Sequence, residues 1–145
     1  MMKGLLWNGV FSLLFIGLVI VVMSILTHMG AVPVWISLFD FFLLVLATFR
    51  LTRLVGYDSI FAQFRTAFDG YESNTGMGTL RTLVHCPWCL GLWFGFFITT
   101  FYFLTPYAWF VILFLAISGL ASFVQILANG LGWFAEGKKK EVSGE

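Results

Sequence analysis

The sequence predicts an all-α integral membrane bundle of four transmembrane helices, with a short interfacial amphipathic helix between spans two and three. Three observations carry that expectation: a shortage of charge, four apolar runs of membrane-crossing length, and basic residues confined to alternate connections. Of 145 residues, 60% are hydrophobic and only 10% charged, whereas a soluble domain carries about a quarter charged residues. So few charges cannot coat a small water-exposed surface, so the solvent is lipid. Eighteen Phe and six Trp fit the same medium, because aromatic rings suit lipid contact and the headgroup boundary. Length allows one membrane domain, residues 1–136. A formal net charge of +1 leaves no electrostatic footprint for nucleic acid.

A helix needs roughly 20 apolar residues to cross the hydrocarbon. The first run covers residues 5–27, interrupted by Asn8, Ser12 and Ser24. Lys3 before it resembles the start of a signal peptide. The apolar core is too long for one, and no small-x-small cleavage site follows, so the run is read as a span. Gly30 and Pro33 make a turn. The second run covers 34–52 and contains Asp40; the third covers 86–104; after the Thr105-Pro106 turn, the fourth covers 107–129. Residues 137–145 read as a charged flexible tail, its Lys138, Lys139 and Lys140 either solvated or touching anionic headgroups.

Orientation follows from the basic residues. Lys3 precedes span one, Arg50, Arg53, Arg65 and Arg81 lie at or in the link between spans two and three, and the three lysines follow span four. The turns at 28–34 and 104–107 contain no Lys or Arg. With four spans every basic residue falls on one side, and the positive-inside rule makes that side cytoplasmic. The expected location is the cell inner membrane with both termini in the cytoplasm. Trp7, Trp88 and Trp133 fall at the basic side and Trp35 and Trp109 at the bare side, as interfacial anchors do.

Within the central link, Ile60, Phe61, Phe64 and Phe68 recur at helical spacing over residues 59–69. With Asp58 or Ser59 as cap, this stretch reads as an amphipathic helix, lying in the interface or packing on its own bundle. Gly70 to Gly78 reads as a flexible loop.

The sharpest chemical feature is His85-Cys86-Pro87-Trp88-Cys89-Leu90-Gly91. Pro87 suits the first turn of a helix, where its missing N–H costs nothing. Cys86 then sits at or near the N-cap, with Cys89 one turn on and on the same face. Unpaired N–H groups at a helix start favour a thiolate, so Cys86 is expected to be the more acidic thiol. Three readings stand side by side. The pair cycles between dithiol and disulfide; or Cys86, Cys89 and His85 offer three of the four ligands that a structural zinc site requires; or the cysteines simply pack as small apolar residues. His28, at the far end of span one, is out of reach as a fourth ligand and reads as an interfacial anchor.

Arg50 and Arg53 are three residues apart, on one helical face near the cytoplasmic headgroups. Either both snorkel to phosphate, or one turns inward to pair with Asp58 or to bond carbonyls near Cys86. Asp40 is the one acidic residue inside a span. Such groups usually face a bundle interior or water, although it follows Trp35 closely enough to reach the outer interface. Gly91 and Gly95 make a GxxxG step, and Ser118 and Ser122 a small-xxx-small step. Both let helices approach closely, within the bundle or between copies. The sequence has no phosphate-binding glycine loop ending in lysine, no H-E-x-x-H and no supported Ser-His-Asp set.

LATFRLTRLVGYDSI, a linker of some two dozen residues, and HCPWCLGLWFG together resemble a family of small bacterial and phage membrane proteins of unknown function, one of them linked to sporulation in Bacillus. The matching positions are Arg50, Arg53, Asp58, Cys86, Trp88, Cys89, Gly91 and Trp93, within residues 45–100. The resemblance implies a bacterial or phage origin and a multi-pass fold, and no activity. Quinone-coupled disulfide-generating enzymes are similar in bundle and C-x-x-C spacing. They use a second cysteine pair, and their reactive pair faces the oxidising side.

The functional expectation is therefore a small membrane protein of non-enzymatic, assembly or binding type, phage- or sporulation-associated, with a cytoplasm-facing C-x-x-C and arginine centre. Its partners would be lipid and a second copy or another membrane protein. The rivals are a quinone-coupled thiol-disulfide oxidoreductase using Cys86 and Cys89, and a holin-like pore-forming oligomer.

Overall fold

The computed structural model describes residues 2–31, 35–72 and 75–143, with side chains from residue 6 to residue 139. The described residues are helical or in turns, with no strand among them. Helix α1 spans Met2–His28, α2 Leu38–Gly56, α3 Ala62–Thr66, α4 Gly76–Val84, α5 Pro87–Leu104 and α6 Ala108–Ser143. A 3-10 turn at Ser59–Phe61 leads into α3. The turn expected at Pro33 and the start of the second run at Val34 lie outside the described residues.

Three helices are long and apolar enough to cross a membrane: Leu6–His28, Pro87–Leu104 and Ala108–Lys139. The second run of the sequence is not among these three. Its helix has 19 residues and carries Asp40, Arg50 and Arg53. Yet α2 is the centre of the fold, packing most extensively against α6 and next against α5. Leu43, Leu44 and Ala47 of α2 meet Ile98 of α5 and Ile112 and Ala116 of α6 in the main apolar cluster.

The neighbours fix helix direction. Thr48 and Thr52 of α2 lie opposite Gly95 and Gly91 of α5, so these helices are antiparallel. Leu46 and Arg50 lie beside Gly119, and Arg50 bonds Ser122, so α2 and α6 run the same way. Phe15 of α1 stacks edge-on against Trp93 and Phe96, while Asn8 shares a groove with Cys89 and Leu26 one with Phe103. Helix α1 therefore runs parallel to α5. Direction alternates along α1, α2, α5 and α6.

The closest approach is at Gly119. A Cβ there would stand 2.4 Å from the Leu46 carbonyl oxygen and 3.2 Å from Arg50 Cβ. Only a glycine lets the two backbones come this near. Ala47 and Ala116, both essentially buried, extend the same seam of small residues.

Three boundaries differ from expectation. Residues 76–78, read as part of a flexible loop, open α4: Thr75 caps it by accepting the Gly78 N–H at 3.1 Å. The helix expected over residues 59–69 is broken into a 3-10 turn, the five-residue α3 and further turns. Phe61, Phe64 and Phe68 still form an edge-to-face chain, and Phe61 and Phe64 line an apolar groove with Leu80, Val84 and Leu90. Helix α6 runs through Ser143, well past residue 129 and into the stretch read as a flexible tail. Ala135, Glu136 and the lysines are good helix formers and no proline stops them, and Lys138 sits over the Phe134 ring at 5.8 Å.

Candidate functional site

Two arrangements occupy the end of the bundle where α2 finishes beside the middle of α6 and α5 begins. The first is a polar centre on α2. Arg50 turns inward: its Nη1 donates to Asp58 Oδ2 at 3.0 Å and to Ser122 Oγ at 3.1 Å. Ser122 in turn donates to the Ser118 carbonyl at 2.9 Å, so its hydroxyl relays between the arginine and the α6 backbone. The pair is largely shielded, with side-chain exposures of 21% for Arg50 and 30% for Asp58. A guanidinium is well suited here because its planar fork reaches two acceptors at once.

Arg65, not singled out from the sequence, closes the lower side. Its Nη1 donates to the Val55 carbonyl at 2.7 Å and the Asp58 carbonyl at 2.9 Å. Val55 carries one of the last carbonyls of α2, which have no partner inside the helix. A basic side chain near a helix C-terminus is the sequence signal for such a bond, but the chain reversal at Asp58 hides the pairing. Arg53 takes a different role from Arg50, lying over the Tyr57 ring at 5.5 Å.

The second arrangement is the cysteine pair. Pro87 begins α5 and Cys86 is its N-cap. The Cys86 sulfur accepts the Cys89 N–H at 3.4 Å and the Cys89 S–H at a sulfur–sulfur distance of 2.7 Å. Both are free thiols and both are half-buried. The Cys89 thiol donating to it, helped by the Cys89 and Trp88 N–H groups, holds the Cys86 pKa below its ordinary value. Trp88 between them is 89% exposed. Cys89 also lines a groove of about 490 Å³ between α1, α4 and α5, with Asn8, Ser12, Thr79, Thr82 and Trp93.

His85 does not join the sulfurs. Its Nδ1 lies 3.0 Å from the Arg81 carbonyl and its Nε2 3.5 Å from Asp69 Oδ1. Asp69 also meets Arg81 Nε at 3.4 Å, tying the linker to α4. Among the described residues no group of three or more His, Cys, Asp or Glu side chains is placed to hold a metal ion. The set of His85, Cys86 and Cys89 proposed from spacing is not gathered here: α4 ends at Val84 with His85 as its C-cap, and the His85 ring turns back to the Arg81 carbonyl.

The other sequence candidates lie elsewhere. Asp40 is in the first turn of α2, where Ser37 Oγ accepts the Asp40 N–H at 3.0 Å and donates to Asp40 Oδ2 at 2.9 Å. This is a reciprocal cap, and a carboxylate there also suits the positive end of the helix. Gly91 and Gly95 face Thr52 and Thr48 across the α2–α5 seam at ordinary contact distance. Ser118 and Ser122 flank Gly119, the residue that sets the α2–α6 approach, and the serine spacing was its only sequence signal.

Similarity to known proteins falls on the same region. The chain is 35% identical to the Bacillus subtilis (strain 168) protein described as "Sporulation protein YjcA", in an alignment covering 60% of this chain and 88% of that protein. No solved structure matches. The family described as "Protein of unknown function (DUF1360)" matches residues 43–128. That stretch begins in α2 and ends in α6, encloses Arg50, Asp58, the cysteine pair and Ser122, and leaves α1 outside. With more than half of its length matched, and with it the entire polar centre, this chain belongs to the DUF1360 family.

Proposed function

We propose that the chain is a small multi-pass protein of the cell inner membrane, of non-enzymatic, assembly or binding type, associated with sporulation or with a phage. It crosses the bilayer four times with both termini in the cytoplasm. The observation that carries this reading is that the charges at the α2–α5–α6 end are spent on holding the chain together. Arg50 ties α2 to Asp58 and α6, Arg65 closes α2, and Asp69 ties the linker to α4. A centre built this way fixes helices against each other and presents a shaped cytoplasmic face.

Several features support the four-span part. Direction alternates along the four long helices, and Arg50, Arg53, Arg65 and Arg81 gather at one end. The three charges of α2 sit toward its termini, Asp40 in the first turn and Arg50 and Arg53 in the last two, where a snorkelling or paired side chain reaches the interface. We read the segment after α2, whose Phe61 and Phe64 line a groove with Leu80, Val84 and Leu90, as lying at the headgroup level. Partners are membrane lipid and a second copy or another membrane protein. The sporulation association comes from the name of the Bacillus relative alone.

Reporter fusions test the topology. A reporter active only in the cytoplasm is expected to work after residue 72 and after residue 145, and one active only outside it after Thr105. Opposite compartments for the first two positions would end the four-span reading. Restored spore formation by this chain in a Bacillus subtilis strain lacking YjcA checks the sporulation arm.

A further inference from the structure

The thiols at the start of α5 have no part in the ties just described. We infer that Cys86 and Cys89 form a redox-active dithiol that exchanges with an incoming disulfide, Cys86 attacking and Cys89 resolving. This goes beyond the assembly reading, giving the same end of the bundle a stoichiometric chemistry that does not depend on the number of spans.

The geometry supplies each requirement. Pro87 starts the helix, so Cys86 stands just outside it with extended backbone, φ −103° and ψ 103°. One helical turn returns Cys89 over it, and the sulfurs lie 2.7 Å apart. A disulfide is about 2.05 Å long, so closing the bond needs a movement well under an ångström and no rearrangement of helices. The N–H of Cys89 points at the Cys86 sulfur, and that sulfur accepts a hydrogen bond from its neighbour while the Cys89 sulfur donates one. The two thiols are therefore unlike each other: the Cys86 sulfur stands at the helix start and receives a first-turn N–H, while the Cys89 sulfur lies one turn along. Such asymmetry at a helix start distinguishes an attacking from a resolving thiol.

Access is present on two sides. Cys86 is half-buried beside the exposed Trp88, a flat apolar surface against which a partner can rest. Cys89 opens into the groove between α1, α4 and α5, whose Asn8, Ser12, Thr79 and Thr82 give it a polar edge on an apolar floor. The neighbouring His85 is engaged with Asp69 and the Arg81 carbonyl, and no third His, Cys, Asp or Glu joins the sulfurs among the described residues. Two sulfurs in contact and without further ligands suit bond formation between them better than a four-ligand metal.

The exchange balances as follows. The Cys86 thiolate attacks one sulfur of the incoming disulfide, forming a mixed disulfide and expelling the other sulfur as a thiolate, which takes up a proton. Cys89 loses its proton to solvent and attacks the Cys86 sulfur. The Cys86–Cys89 bond closes, the mixed disulfide breaks and the second sulfur leaves, also becoming a thiol. The chain gives up two electrons and two protons, and the incoming disulfide receives both. In the topology proposed above the pair faces a reducing cytosol, where it rests as the dithiol and acts as the reductant.

The test uses the full chain in detergent, reduced and then freed of reductant, mixed with oxidised glutathione and quenched with an alkylating agent at intervals. Intact mass is the readout, and helical circular dichroism verifies that each variant is folded. Wild type is expected to lose two hydrogens and take up no alkyl group. Cys89→Ser is expected to stop as a glutathione adduct on Cys86, and Cys86→Ser to react about tenfold more slowly. Stable adducts on both wild-type cysteines would overturn the inference, as would equal rates for the two variants. So would thiols that resist both reagents until a chelator removes a co-purified metal.

Discussion

The seam between α2 and α6 and the seam between α1 and α5 are built on opposite principles. Helix α1 is strongly apolar and makes little contact: it touches α4 and α5 sparsely, and most of its side chains are exposed. Its glycines Gly9 and Gly17 have nothing within 4 Å of where a Cβ would stand. Helix α2 carries three charges and is the most enclosed element, held by Gly119, Ala47, Ala116 and the Arg50 hydrogen bonds. In water the more apolar helix would have been the core. In lipid, hydrocarbon tails solvate an apolar helix as well as another helix does, so small-residue packing and polar bonds decide what goes inside. Hydropathy here marks α1 as the helix that lipid dissolves best, and the charged α2 is the one at the centre.

The comparison breaks most sharply at glycine. Gly119→Val puts a branched side chain against the Leu46 backbone, which cannot swing aside as a flexible side-chain end can. The expected cost is about 1–3 kcal/mol or more, seen as a lower unfolding midpoint in mild detergent. Gly17→Val in α1, with open space around it, is expected to leave the midpoint unchanged. Equal effects at the two positions would erase the distinction between the seams.

Next in size is the polar tie. Arg50→Ala leaves Asp58 without its ion-pair partner and removes the donor to Ser122, with an expected loss of about 1–3 kcal/mol. Phe15→Ala on the other seam removes two edge-to-face contacts, each about 0.5–1.5 kcal/mol. It is expected to lengthen and broaden the spin-label distance between α1 and α5, with the α2–α6 distance kept. Arg50→Ala is expected to disturb the α2–α6 distance instead.

The smallest effect is a titration. The Cys86 thiol is held below its ordinary 9.0, so its thiolate persists to lower pH, and its alkylation rate is expected to reach half-maximum below that value. Cys89→Ala removes the donating S–H and moves the midpoint back up. Phe15→Ala leaves it in place, because the hydrogen bonds that set it come from the first turn of α5 and none from α1. A midpoint that follows α1 would join the two regions that the structure keeps apart.

How much of the site was legible follows from how local each signal was. Cys86 as N-cap, with Cys89 one turn on, could be read from Pro87 and the spacing alone. The Asp40 cap has a local signal in Ser37, three residues before it, but a carboxylate in an apolar run reads equally as a group at membrane depth. Thr75 announced α4 in the same local way, and the surrounding glycines obscured it. Arg65 on Val55 and Asp69 on Arg81 and His85 depend on the course of the linker and left no readable pattern.

The sequence by itself determined the medium, the helical class and the clustering of basic residues on alternate connections, because charge content and apolar run length act through composition and need no contacts. Only the tertiary structure decided that Arg50 rather than Arg53 turns inward, that Gly119 sets the closest approach, and that His85 parts from the cysteines. Each of those depends on which helix faces which, and lipid-facing and helix-facing surfaces are equally apolar, so periodicity leaves no mark that separates them.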